Sequence, residues 1–238
     1  MADIRRTATD WLPPLAGVAF IVLFVSLASW QLDRAAEKEA TAALFDPDAP
    51  HIELRPADEP ALYEPVRVTG RYLPDRQFLI DNIVRNGRLG YYVITPFAAR
   101  PDGRLLLVNR GWIGRDRGAG ALPAIGVGAG DRTLRARVGR LPRVALRPDE
   151  AIAADQGWPK LAVYPRIDDL AAALDRDISE PVLLLAPEAD DGFLRAWQPP
   201  DDGATMHYGY AFQWSAMAAA VLVILVWHLR RRFRHARQ

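Results

Sequence analysis

The stretch Met206-His207-Tyr208-Gly209-Tyr210-Ala211-Phe212-Gln213-Trp214 carries the residues most able to do chemistry in this chain. A helix that begins near Met206 puts His207, Tyr210, Ala211 and Trp214 on one face, because positions i, i+3, i+4 and i+7 recur on one side of a helix. A polar loop, 198–205, precedes the stretch, and an unbroken apolar run, Ser215 to Trp227, follows it. Taken with the aromatic stretch before it, as 207–229, that run suits a membrane helix, since a bilayer core takes about 20 residues at ~1.5 Å each. A ring nitrogen, two aromatic planes and one small residue then look the same way at the depth of lipid head groups. Such a face could hold a flat, apolar, iron-bearing ligand. It is also the composition of an aromatic belt, and on geometry alone the frequency of tyrosine and tryptophan at membrane interfaces favours the belt.

Other constellations are scarce. Cysteine is absent, which excludes disulfides, thiol catalysis, cysteine-ligated zinc and covalent c-type haem attachment. The histidines are His51, His207, His228 and His235, and none stands at metal-binding spacing from another histidine or a carboxylate. Asp190-Asp191 and Asp201-Asp202 read as solvated turns, whereas acid–base work needs a shielded carboxylate. Gly126-x-Gly128-x-Gly130 lacks the strand-to-helix frame and the Gly-Lys-Ser/Thr of a phosphate loop. No nucleophile elbow or dinucleotide fingerprint occurs, so no catalytic residue is assigned. The net charge of +1 gives no global field for nucleic acid, and the arginines are dispersed apart from one terminal cluster. Two patches are polar and aromatic where plain core would suffice: Asn86-Gly87-Arg88-Leu89-Gly90-Tyr91-Tyr92, and Val108-Asn109-Arg110-Gly111-Trp112. In the second, a strand runs into a glycine. Arg110 beside Trp112 could bind a partner's carboxylate or clamp a propionate; the plainer alternative is that Trp112 packs and Arg110 pairs with a surface acid.

The elements that position these residues follow from hydropathy. Trp11 to Leu32 holds no charge and has Pro13-Pro14 at its start, where proline costs a helix little. It is longer than the ~7–15-residue apolar region of a signal peptide and continues through Trp30-Gln31, so an uncut anchor is expected. Arg230-Arg231-Arg232 with Arg234 and Arg237 places the C-terminal end in the cytoplasm, and Arg5-Arg6 argues the same for the N-terminus. Between the spans, Pro47, Pro50, Pro56 and Pro60 impose irregular backbone. A period of two starts at Pro65, with Val66, Val68, Gly70 and Tyr72 alternating against Arg67, Thr69 and Arg71. Phe78 to Val84, Tyr91 to Phe97 (ended by Pro96), Leu105 to Val108, Thr133 to Leu141 and Val182 to Leu185 read as further strands. Asn86-Gly87 and Pro101-Asp102-Gly103 are turns, and Ala119 to Gly130 is a loop on composition. A short helix is expected over Asp168 to Leu174. The expected class is membrane-anchored α+β, with two transmembrane helices flanking a mostly antiparallel β domain that has short helices. Its segments are a cytoplasmic N-terminus (1–10), span one (11–32), an extracytoplasmic domain (33–206), span two (207–229) and a basic cytoplasmic tail (230–238).

Four sets of residues together resemble the Surfeit locus protein 1 family. They are Asn109-Arg110-Gly111-Trp112; the run from Asn86-Gly87 through Gly90-Tyr91 to Thr95-Pro96; Trp30-Gln31 with Arg34 at the end of span one; and His207-x-x-Tyr210-Ala211-x-x-Trp214 opening span two. The resemblance extends over nearly the whole chain, the two-anchor layout included. It implies a non-enzymatic membrane-bound assembly factor for cytochrome c oxidase of the haem-copper type, working with the catalytic subunit and with haem a synthase, among membrane lipid, in a bacterial inner membrane. It further implies transient binding of haem a, with the haem-linked histidine falling on His207, since imidazole is a normal axial ligand for haem iron. Trp30 and Arg34 then reach the same level as Tyr210, Ala211 and Trp214. The rival expectation is a structural chaperone that grips an oxidase subunit without touching haem, and a third is a generic sensor anchored by two spans.

Overall fold

The chain divides into two units, Met1–Ala43 with Pro199–Gln238, and Leu44–Gln198. The computed structural model describes residues 2–56, 58–116, 122–144, 151–153, 157–178, 180–200 and 203–235. Residues 119–121 of the expected loop, the pair Asp201-Asp202 and the tail residue Arg237 lie outside these. The elements in order are α1 (Ala2–Ala43), β1 (Ile52–Glu53), β2 (Pro65–Tyr72), β3 (Phe78–Arg85), β4 (Arg88–Ala99), β5 (Leu105–Gly114), β6 (Arg132–Gly139), β7 (Lys160–Ala162), α2 (Ile167–Leu174), β8 (Val182–Leu185) and α3 (Thr205–His235).

In the first unit, α1 and α3 are both long and apolar enough to cross a membrane. Their outer faces expose Leu15, Val22, Phe212, Val223 and Ile224, which suits lipid rather than water. Shielded residues repeat at alternating steps of three and four: Pro14, Gly17, Ile21, Phe24, Ala28, Gln31 and Ala35 on α1, and His207, Ala211, Trp214, Ala218, Val221 and Leu225 on α3. A repeat of 3.5 residues is the pattern of a coiled-coil seam, and small residues in it let two membrane helices approach closely. Phe24 stacks on Trp214 at 5.7 Å between centroids, so the two helices run antiparallel with Ala28 opposite Ala211. The sequence places Pro13-Pro14 at the start of span one. The helix instead continues back through both prolines to Ala2, where each proline forfeits one backbone hydrogen bond.

In the second unit the strand order is β1-β2-β6-β8-β5-β4-β3-β7, and β2 also pairs with β4. That extra pairing closes β2, β6, β8, β5 and β4 into a ring. β4 makes closure possible by changing partner along its length. It pairs with β3 up to Ile94 and with β2 from Phe97 onward. Pro96 falls in the gap between the two partners, so its missing N–H costs no ladder bond there, and the strand runs through it rather than ending. Gly70 allows the closing contact, because a Cβ there would lie 2.1 Å from the Ala98 carbonyl oxygen. Inside the ring, Val66, Val68, Tyr72, Phe97, Leu106, Val108, Leu134 and Leu183 form one core. Each large side chain buried in this way contributes about 1.5–3 kcal/mol. Outside it, Phe78, Ile80, Ile94 and Leu107 pack under Leu170 of α2. Asn86 and Gly87 take φ of 48° and 72° in the β3–β4 hairpin, as that turn requires. The Arg166 N–H at the start of α2 donates to the Asp169 carboxylate at 2.7 Å. Strands β1 and β7, too short to show a period, are absent from the sequence reading.

Candidate functional site

His207 sits in the first turns of α3, on the seam with α1, and its Nδ1 lies 2.7 Å from Oε1 of Gln31. Gln31 is 8% exposed and His207 is half-buried. A carboxamide oxygen accepts only, so the geometry assigns the proton to Nδ1 and leaves Nε2 with a bare lone pair. No hydrogen bond reaches Nε2 among the described residues. A second tie runs from the Tyr208 hydroxyl to the Glu39 carboxylate at 2.9 Å. Beside Gln31 but turned out of the seam, Trp30 is 50% exposed, with the Arg34 guanidinium 6.0 Å from its ring centroid. Arg34 also pairs with Glu37 at 2.6 Å.

The expected stripe therefore divides. His207, Ala211 and Trp214 face α1, whereas Tyr210 is 46% exposed at the edge of the seam. Ala211, the small residue of that face, packs against α1 and is 5% exposed, so the face is closed to a flat ligand there. The four positions span about 100° of the helix circumference, and the partner helix covers the part that holds His207, Ala211 and Trp214. The sequence reading names Trp30 and Arg34 on α1 but omits Gln31 from the site. The signal for it is available: Gln31 continues the three-four repeat of Pro14, Gly17, Ile21, Phe24 and Ala28, and a polar residue on such a stripe needs a partner across it.

The Asn-Arg-Gly-Trp patch is not a surface patch. Arg110 follows Leu106 and Val108 on the inward face of β5 and is 2% exposed. Its Nε donates to the Asp191 carbonyl at 2.8 Å, and Nη1 donates to Gln77 Oε1 at 2.9 Å and to the Ile125 carbonyl at 2.8 Å. Nη2 reaches the Gly126 carbonyl at 3.3 Å. The guanidinium thus ties the loop at 125–126 and the segment at 191 to the barrel, and the expectation of an exposed pair with a surface acid is corrected. Burial lowers the Arg110 pKa, opposed by the nearby Tyr72 and Asp191. Gly126 and Gly128 offer carbonyls to Arg110 and Arg132, the polarity opposite to a phosphate loop.

Its neighbours in the motif serve the same interlock. Asn109 Oδ1 accepts the Gly111 N–H at 3.0 Å. The Trp112 indole N–H donates to the Ile83 carbonyl at 3.0 Å, while its backbone exchanges bonds of 2.9 and 3.0 Å with Leu194. Residues 193–198 are thereby strapped along β5, with Arg85 donating to the Ala196 carbonyl at 2.7 Å and Trp197 to the Leu185 carbonyl at 2.8 Å. From the first patch, Tyr92 packs on Trp197 at 5.8 Å. Gly111 adopts φ of 111°, and a Cβ there would come within 2.9 Å of the Leu194 carbonyl oxygen. Gly111→Ala is therefore expected to lift the strap and cost about 1–3 kcal/mol from backbone strain alone. A thermal melt of the full chain in detergent that matches the native one would refute that placement.

Two apolar helices at the ends of the sequence and a closed, mostly antiparallel barrel between them in sequence define a membrane-anchored barrel protein. Among the described residues no three His, Cys, Asp or Glu side chains gather into a metal site. The chain belongs to the SURF1 family, whose model matches residues 18–219. A SURF1-like protein of Rickettsia felis is 33% identical over 99 residues, covering 40% of this chain and 43% of that protein. A SURF1-like protein of Monosiga brevicollis is 31% identical over 107 residues, covering 39% and 41% respectively. The cytochrome oxidase assembly protein SHY1 of Saccharomyces cerevisiae is 27% identical over 124 residues, covering 48% of this chain and 32% of the yeast protein. Each match thus spans less than half of the relative's length.

Proposed function

We propose that this protein is a non-catalytic assembly factor for a haem-copper cytochrome c oxidase, and that it binds haem a through His207 and assists its insertion into the catalytic subunit. Kinship with a yeast protein named for cytochrome oxidase assembly carries the first half. The His207–Gln31 geometry carries the second. The residues fit the group: a neutral imidazole with Nδ1 engaged and Nε2 bare is the form that ligates iron, and a ligating histidine commonly gives its other N–H to a carbonyl or carboxylate. When bound, the haem would supply an iron for the His207 imidazole to ligate and a ring with a broad apolar surface. The chain supplies the rest. The seam fixes the imidazole, the exposed rings of Tyr210 and Trp30 offer apolar faces beside it, and the Arg34 guanidinium can pair with a carboxylate. Haem a synthase is a further partner in this reading, as the source of the haem, and membrane lipid surrounds both helices.

The proposed setting is a bacterial inner membrane, with residues 1–10 and 230–238 cytoplasmic and the barrel periplasmic. The basic tail supports this orientation, because arginines beside a span resist translocation. Reporter fusions after Gln238 are expected to be active only in the cytoplasm, and fusions at Gly126 only outside it. Activity of the Gly126 fusion in the cytoplasm would reverse the orientation. The assembly role is tested by deleting the gene in a host that makes haem a. Membranes should then lose assembled oxidase and regain it with the intact chain, and an unaltered oxidase content in the deletion would end the proposal.

A further inference from the structure

Gln31 is bound into the same seam as His207, and its position has a chemical consequence for the histidine. An imidazole has two neutral tautomers that differ little in energy, and a haem-binding histidine must present a bare nitrogen. Gln31 is the polar residue on an otherwise apolar stripe of α1, between Ala28 and Ala35. Its Oε1 stands 2.7 Å from Nδ1 and is shielded from solvent. In a half-dry seam an unpaired N–H is costly, so the proton is driven to Nδ1, where it has an acceptor. The other nitrogen is then held without a proton and cannot rotate away without breaking the bond.

Resting on the haem reading above, we propose that Gln31 is the positioning residue of the site: it fixes the Nδ1–H tautomer and ring orientation of His207, so that Nε2 is ready to ligate before haem arrives. The ligand is thus assembled from both helices, with one residue binding and the other aiming. The Tyr208–Glu39 bond, one residue along α3, lies at the same end of the seam and steadies the same pairing. A polar pair joining two membrane helices could serve as adhesive alone, and that role predicts no effect on the tautomer or on a haem spectrum. The two roles therefore part at the level of spectroscopy.

The test uses the full chain in detergent or bicelles, with ring-nitrogen-labelled histidine. In the haem-free native protein, nitrogen NMR is expected to show His207 protonated at Nδ1 and bare at Nε2, with Gln31→Leu moving it to a tautomer mixture. Titration with haem a is expected to give Gln31→Leu an affinity about 10–100-fold below native, the loss typical of removing an outer-shell partner. Gln31→Glu should keep binding but shift the absorption spectrum and lower the iron's reduction potential, because a carboxylate acceptor makes the imidazole a stronger donor. An Nε2–H tautomer in the native haem-free protein would overturn the proposal. So would native affinity and spectrum in both Gln31 variants when His207→Ala loses haem, which leaves the haem reading standing. If His207→Ala keeps haem, the haem reading and the positioning role fall together, and the nitrogen signals then report Gln31 as helix adhesive.

Discussion

Arg110→Ala is expected to deplete the protein from the membrane rather than leave it present and inactive. The side chain is 2% exposed and donates to three carbonyls in two separate segments of the barrel unit, at Ile125 and Gly126 and at Asp191, as well as to the Gln77 side chain. Truncation strands those acceptors and empties space beneath the rings of Tyr72 and Phe193, which lie 5.7 and 5.1 Å from the guanidinium. Leaving a buried acceptor without its donor costs about 1–3 kcal/mol, and several are left here, a large part of a total stability of about 5–15 kcal/mol. An exposed pair would cost about 0–1 kcal/mol, and on that footing the same variant would keep its abundance. Quantitative immunoblotting of membranes decides between the two, together with a thermal melt of the full chain in detergent. Native abundance with a native melting temperature would mean that these bonds contribute nothing. Arg34 is half-exposed and, among the described residues, pairs only within its own helix, so Arg34→Ala is the control and should leave abundance unchanged.

The contrast shows where sequence reasoning succeeds and where it stops. Alternation places β2 and β6 because Val66, Val68 and Leu134 repeat with period two against exposed polar neighbours. The Asn86-Gly87 turn is legible because few residues accept its backbone angles. Both anchors are legible because length and lack of charge suffice. Ring closure is not legible, since it depends on β4 changing partners around Pro96, a long-range register that no local pattern encodes. The Asn-Arg-Gly-Trp motif stands out in the sequence, yet its role inverts in the fold. The strand read as Leu105 to Val108 leaves Arg110 beyond its end, whereas extending the parity of Leu106 and Val108 by one step turns it inward. At the other motif, the stripe rule brings His207 and Trp214 together correctly but says nothing of which side the partner helix takes. Ala211 consequently lies in the seam opposite Ala28. A larger side chain there would separate Gln31 from His207, at about 1–3 kcal/mol for overpacking.

His207→Ala is expected to abolish haem a binding by the purified protein and to lower oxidase maturation, with the variant still inserted in the membrane. The half-buried imidazole leaves Nε2 bare while its Nδ1 is held at 2.7 Å by Gln31. Loss of an outer-shell partner alone costs a metal site about 10–100-fold in affinity, so removal of the ligand itself should exceed about 100-fold. Insertion should survive, because the apolar length of α3 and the aromatic contact between Phe24 and Trp214 do not depend on the imidazole. His228→Ala is the matched control. It lies 21 residues further along the same helix, about 32 Å away at 1.5 Å per residue, and should leave both haem and oxidase intact. The measurements are an absorption spectrum of protein purified from a host that makes haem a, and the oxidase content of its membranes. If the His207→Ala protein retains a full complement of haem a with an unshifted spectrum, His207 is not the ligand. If haem is absent even from the native protein while deletion still abolishes the oxidase, the chain acts as a structural chaperone for oxidase subunits, and the His207–Gln31 pair is one of the bonds that hold its two helices together.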